Sequence, residues 1–136
     1  KGAYKEGYRS HERLRVSAVK DLDQALISAA VSSDNTAESS KIISSVVAKT
    51  GDIRISGSYA QDLAYLAGGK LDAFVCLNAH ISSIVSGLLL VKEAGGSVRG
   101  IKQKDTRVED LSQIFTTGDL VASNFNLNQK VFEIFK

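Results

Sequence analysis

Apolar residues along this chain follow two patterns in turn, one with a period near 3.6 and one with a period of two. Ile42, Ile43, Val46 and Val47 share a helical face, with Asn35 and Glu38 placed as a capping-box-like pair ahead of it and Gly51 as its stop. Ala60, Leu63, Ala64 and Ala67 share a second face, opened by Gly57-Ser58 and closed by Gly68-Gly69. A third helix begins at Ser82 or Ser83 and runs through Leu88, Leu89, Leu90 and Val91. It is apolar on nearly every side, which predicts full burial. Gly95 or Gly96 can take the left-handed conformation that ends it. A final amphipathic helix, capped by Asn124 or Asn126, turns Leu127, Val131, Ile134 and Phe135 inward. Between these, residues 14–17 and 53–56 alternate as strands, and residues 25–31, 71–77, 97–101 and 120–123 also read as strands. Residues 2–8 are turn-rich, and residues 102–109 form a charged surface loop. The order β-β-α-β-α-β-α-β-β-α predicts an α/β layered sandwich with a mixed, mostly parallel sheet flanked by helices, one domain over residues 1–136.

Composition narrows the classes. Apolar residues make up 43% of the 136, enough for a core without covalent staples. The formal charge is +2, with no basic run, so nothing signals direct nucleic-acid binding. The longest apolar run is far short of the ~20 residues that span a bilayer. The lone Cys76 excludes an internal disulfide and fits a reducing compartment, so a cytoplasmic location is expected. With no Met, Lys1 is not a translation start, and the chain is expected to be a piece of a longer protein. Proline is absent, although usage is normally about 5%, and no physical account of this follows.

Four segments in order carry a resemblance. Gly2-Ala3-Tyr4 precedes Leu14-Arg15-Val16-Ser17. Ile55-Ser56-Gly57-Ser58 precedes Asp62-Leu63-Ala64-Tyr65-Leu66-Ala67, then Gly68-Gly69-Lys70-Leu71-Asp72-Ala73. Gly87 to Gly96 holds the buried helix and its double glycine, and Leu120-Val121-Ala122-Ser123-Asn124 precedes the last helix. Any one of these is weak, but together they are specific. The chain resembles the C-terminal half of the inositol monophosphatase family, the magnesium-dependent, lithium-sensitive phosphomonoesterases.

The resemblance implies a half-fold and an incomplete chemistry. The family's paired Mg²⁺ ions polarise a phosphate and activate a water, and hard cations of this kind take oxygen ligands. Most of those ligands belong to an N-terminal half, expected to lie outside this chain. The C-terminal half adds one Asp from a Trp-Asp pair, and an ungapped count back from Glu93 places that Asp on Ser83 and the Trp on Ser82. A neutral hydroxyl there implies a lost metal ligand, so no magnesium is expected on this chain alone. The family turn that touches a polyol substrate falls on Gly57, Ser58 and Tyr59, where Tyr59 replaces a small residue and its ring narrows the pocket. Capping alone also explains Gly57-Ser58. An acidic contact to substrate hydroxyls falls on Cys76, whose residue type is more often a small buried strand residue.

Two functions follow. One is the C-terminal portion of a phosphatase of inositol or sugar phosphates, inactive by itself. The other is a non-catalytic pseudo-phosphatase that binds a partner, as the bacterial extragenic-suppressor branch associates with transcription and ribosome-assembly machinery. A homodimer, or association with the N-terminal half, is expected in either case. His80, His11 and the acidic group Asp105, Glu109 and Asp110 read as solvated or helix-start residues. No Ser/His/Asp triad, P-loop or dinucleotide fingerprint can be assembled.

Overall fold

The computed structural model describes residues 2–7, 10–102 and 111–136. Its strands are β1 (Tyr4–Gly7), β2 (Ser10–Arg13), β3 (Leu26–Ala30), β4 (Asp52–Arg54), β5 (Ala73–Cys76), β6 (Ser97–Gly100) and β7 (Leu120–Ser123). Its α-helices are α1 (Thr36–Val47), α2 (Tyr59–Ala67), α3 (Ile81–Glu93), α4 (Ser112–Thr117) and α5 (Asn128–Glu133). Five strands form one sheet in the order β4-β3-β5-β7-β6. It is mixed, as expected, but its parallel pairings, β3 with β4 and with β5, are matched by two antiparallel ones. The cause is β7. It is last in sequence, yet it lies between β5 and β6 and runs against both.

Period-two alternation builds the layers. Phe74 and Cys76 of β5, with Leu120 and Ala122 of β7, join Leu63, Leu66, Ile84, Leu88 and Val91 in a core with α2 and α3. Ala73, Val75 and Val121 point the other way, into a second core with Val46 of α1 and Leu127 and Val131 of α5. The result is helices, sheet, helices in three layers. The α2–α3 contact is close because Gly87 has no side chain: a Cβ there would lie 2.6 Å from the Cβ of Leu63.

Several sequence expectations need correction. Residues 2–8 are not merely turns, since β1 pairs with β2 in an antiparallel hairpin separate from the main sheet. Residues 14–17 are not a sheet strand. Leu14 N donates to Ala3 O and Val16 N to Ala94 O, and their alternation seats Leu14 and Val16 against the α2–α3 core. On α2 the inward face includes Asp62, whose carboxylate accepts from the buried Ser28 hydroxyl, while Ala60 is exposed. Val47 is exposed on α1. Asn35 stands at the N-cap of α1 without a side-chain cap bond, and its Nδ2 donates instead to Glu38 at 2.8 Å. Helix α4 was not foreseen. The loop expected over 102–109 lies outside the described residues from 103 onward, as do Asp105, Glu109 and Asp110.

The third helix departs most instructively. Gly95, at φ +89°, is the left-handed stop. Yet α3 buries only one face, with Ile84, Gly87, Leu88 and Val91. Ile81, Val85 (47% exposed) and Leu89 (62% exposed) form an apolar stripe at i, i+4, i+8 that nothing described covers.

Two buried side chains tie the ends of the chain together. Asp72 accepts from the Ser17 hydroxyl and from Leu26 N. Asn124 donates from Nδ2 to Ser17 Oγ and Val19 O, both at 2.9 Å, and its Oδ1 accepts from Leu127 N ahead of α5. Neither of the two caps expected is realised: the N-cap of α5 is Leu127, without a side-chain cap bond, and Asn124 fixes the turn ahead of it.

Candidate functional site

In an open α/β sheet the crevice for ligands lies past the carboxyl ends of parallel strands where the connections diverge. Here that place is between β3, which leads through α1 to the edge strand β4, and β5, which leads through α3 toward the other edge. The loops leaving β3 and β5 carry Asp34 and Asn78–His80, and these open onto a cleft of about 440 Å³ that also meets Tyr59, Ser83 and Thr117. A second depression of about 310 Å³ adjoins it, lined by Gly57, Ser58, Tyr59, Ser82, Ser83 and Ser86. Tyr59 and Ser83 border both.

The site is built where two helices begin. Ser58 is the N-cap of α2, its Oγ accepting from Gln61 N at 3.3 Å, so the capping reading of this serine holds. His80 is the N-cap of α3, and its Nδ1 lies 3.0 Å from Ser82 Oγ. It is a helix-start residue, as its isolation in sequence suggested. The first turn of α3 carries no acidic residue. Two helix starts beside the shared depression lend it a partial positive character suited to an anion, with Gln61 N already taken by Ser58 Oγ and Ser83 N by His80 O.

Of the sequence candidates, Gly57, Ser58, Tyr59 and Ser83 come together here, whereas Cys76 does not face either depression. Tyr59 is half-buried, its ring edge-on to Phe74 at 6.2 Å between centroids, so the ring occupies space at the rim and also packs on the core. Burial raises its phenol above the ordinary value, and the neighbouring Cys76 sulfur adds to this. Cys76 is 1% exposed on β5, with Sγ 3.7 Å from Gly118 O.

Burial also pushes the Cys76 thiol far up, the Asp119 charge adding to it against a lowering backbone contact from Leu120. A thiol ionising at its ordinary 9.0 when unfolded, but not when folded, favours the folded state below that pH and opposes it progressively above. We therefore expect urea-unfolding stability to decline above pH 9 and Cys76→Ala to flatten that decline. Alkylation of the native thiol should proceed only as fast as the chain opens.

Asp34 was missed in sequence because residues 32–36 read only as a polar loop. Its signal was positional: it follows a strand whose carboxyl end borders the crevice. It is the one carboxylate lining either depression among the described residues. Nor do three His, Cys, Asp or Glu side chains come together anywhere among them. One carboxylate with serine hydroxyls does not make a magnesium site, so the donor set that the described residues bring to the crevice does not fit that ion.

These features define a class: a three-layer α/β sandwich with a polar crevice at its strand ends, beneath two helix starts. Within that class the chain belongs to the inositol monophosphatase family, whose sequence model it matches over residues 1–135. It is 36% identical over 107 residues to a Thermotoga maritima protein named fructose-1,6-bisphosphatase/inositol-1-monophosphatase, a match covering 79% of this chain and 41% of that one. A Xylella fastidiosa protein named Nus factor SuhB is 33% identical over 105 residues, 74% of this chain and 38% of its own. The solved extragenic suppressor protein suhB of Bartonella henselae superposes with a TM-score of 0.79 at 27% identity, covering 95% of this chain and 50% of that chain. The chain thus spans half or less of each of these relatives. No helix among the described residues is long and apolar enough to cross a membrane.

Proposed function

We propose that this chain is the C-terminal half of an inositol-monophosphatase-like phosphomonoesterase acting on an inositol or sugar phosphate, and that by itself it does not turn over substrate. The observation that carries this is the position of Ser83. It sits in the crevice with Gly57, Ser58 and Tyr59, at the point where the family resemblance calls for a metal-binding carboxylate. The chain supplies the neutral wall of the site: helix-start N–H groups and serine hydroxyls that orient an anionic ester. Magnesium, implied by the family, needs carboxylates that this wall does not provide, and the N-terminal half is their proposed source. A cytoplasmic location accompanies this reading, on the strength of one unpaired cysteine.

The test is phosphate release from inositol phosphate in millimolar Mg²⁺. The expected result is no turnover by this chain. In the protein joined to its N-terminal half, Ser83→Asp should raise turnover by about tenfold or more, the scale on which even outer-shell partners of metal ligands act. Brisk wild-type turnover by this chain would overturn the reading.

A second reading, a pseudo-phosphatase that binds a protein partner, is favoured by two departures that meet in the crevice, Ser83 and Tyr59, whereas the third, Cys76, is buried away from it. The relatives named as Nus factors lend it a transcription-related partner. Ser83→Asp separates the two readings, since a scaffold gains no activity from a restored acid.

Either reading needs a cover for the stripe of Ile81, Val85 and Leu89 and for the hairpin β1–β2, whose strand residues are all exposed. A two-stranded ribbon is marginal alone in water. We assign both surfaces to the N-terminal half, or to a second copy when that half is absent. Sedimentation of this chain should therefore show a dimer or larger species, and the Val85→Glu, Leu89→Glu pair should shift it toward monomer. A monodisperse wild-type monomer counts against the assignment.

A further inference from the structure

We propose that Asp119 is a positioning residue that sets the start of α3, and with it the crevice wall formed by His80 and Ser83. The inference rests on that crevice being the functional site. Its first readouts do not depend on any activity. The loop from β5 into α3 contains an anomaly: Asn78 has φ +51°, the one non-glycine residue with positive φ among those described. Asn enters the left-handed region more readily than other side-chain-bearing residues, and here its backbone is also held from outside.

Those surroundings come from a different part of the chain, the turn between α4 and β7. Asp119 Oδ1 accepts the Asn78 N–H at 2.8 Å, a charge-assisted bond from a side chain only 14% exposed. Next to it, Ala79 N donates to Gly118 O at 3.0 Å, so two successive amides of the loop are held by two successive residues of the turn. The turn is itself fixed, with Asp119 N donating to Thr117 Oγ1 at 3.2 Å and Gly118 N to Ile114 O at 2.7 Å. On its far side, Asp119 Oδ2 lies 4.0 Å from Lys102 Nζ, an exposed lysine and a weak partner by comparison. The carboxylate therefore acts chiefly through its acceptor bond to Asn78. Two residues further on, His80 begins α3, and Ser83 follows within its first turn. Where Asn78 goes, the helix start goes.

The experiment is residue-resolved NMR on this chain. In the wild type, a through-hydrogen-bond coupling between the Asn78 amide nitrogen and the Asp119 carboxyl carbon should be observed, because the amide proton bonds to that carboxylate. In Asp119→Ala, exchange of the Asn78 amide should rise between about tenfold and a hundredfold, the range implied by losing a hydrogen bond to a charged group. The Ser82 and Ser83 amide signals should move with it, while exchange at Val75 and Val121 in the sheet stays unchanged. Asp119→Asn, which keeps an acceptor oxygen, should hold Asn78 exchange within about threefold of wild type, and Lys102→Ala should leave it unchanged. The proposal is overturned by absence of that coupling in the wild type, by unchanged Asn78 exchange in Asp119→Ala, or by sheet amides that loosen in step with the loop. The wild-type coupling stands as a test even where the alanine variant fails to fold.

Discussion

Gly118→Ala should cost about 3 kcal/mol or more of unfolding free energy, an unusually large loss for adding one methyl group. Two terms add. Gly118 has φ +71°, where an L-residue pays roughly 1–2 kcal/mol. Its new Cβ would also lie 2.2 Å from Ala79 O and 2.5 Å from Ala79 N, against backbone that cannot step aside without moving the start of α3. Overpacking of this kind typically adds about 1–3 kcal/mol. Gly95→Ala is the matched control. Its φ is also left-handed, but open space surrounds the new methyl, so only the conformational cost of roughly 1–2 kcal/mol remains. Urea unfolding of the two variants side by side measures the steric part as their difference. Equal losses would show that Gly118 does not press on the α3 loop.

Gly87→Ala should also destabilise, by about 1–2 kcal/mol net, for a purely steric reason that outweighs the gain in helix propensity. Alanine is the better helix former, so propensity alone predicts a gain of about 1 kcal/mol at this position in mid-helix. The new Cβ, however, would lie 2.6 Å from both Cβ and Cδ1 of the fully buried Leu63. A Cβ moves only with its backbone, so α2 and α3 must part. Ser86→Ala, one residue earlier and exposed, is expected within about 0.5 kcal/mol of wild type. A neutral or stabilised Gly87→Ala would mean that the helices approach less closely than described.

The sequence was most legible where one physical signal dominated. Repeating apolar positions placed α1, α2 and α3, and the double glycine placed the stop of α3 within a residue. The cap at Ser58 and the buried, unreactive setting of Cys76 followed from residue type alone. Expectations failed where the deciding partner was distant in sequence. Asp62 was not among the inward positions named for its helix, and only the fold brings Ser28 to it. Residues 14–17 alternate as a strand does, yet half of that alternation answers to a groove between helices. Helix α4 is six residues long and too short for periodicity to register. In the site, residue type found the serines and Tyr59. Asp34 needed the strand order, which no local pattern encodes.

The strand order also dictates when this sheet can close. A ribosome emitting the chain delivers β3, β4 and β5 as a contiguous parallel trio, then β6, which hydrogen-bonds only to β7. Until residue 123 emerges, β6 has no ladder partner and the exposed edge of β5 is a template for any passing strand. Nascent chains stalled before that point, or chains cut short ahead of residue 120, should therefore behave as sticky intermediates rather than as slightly weakened proteins.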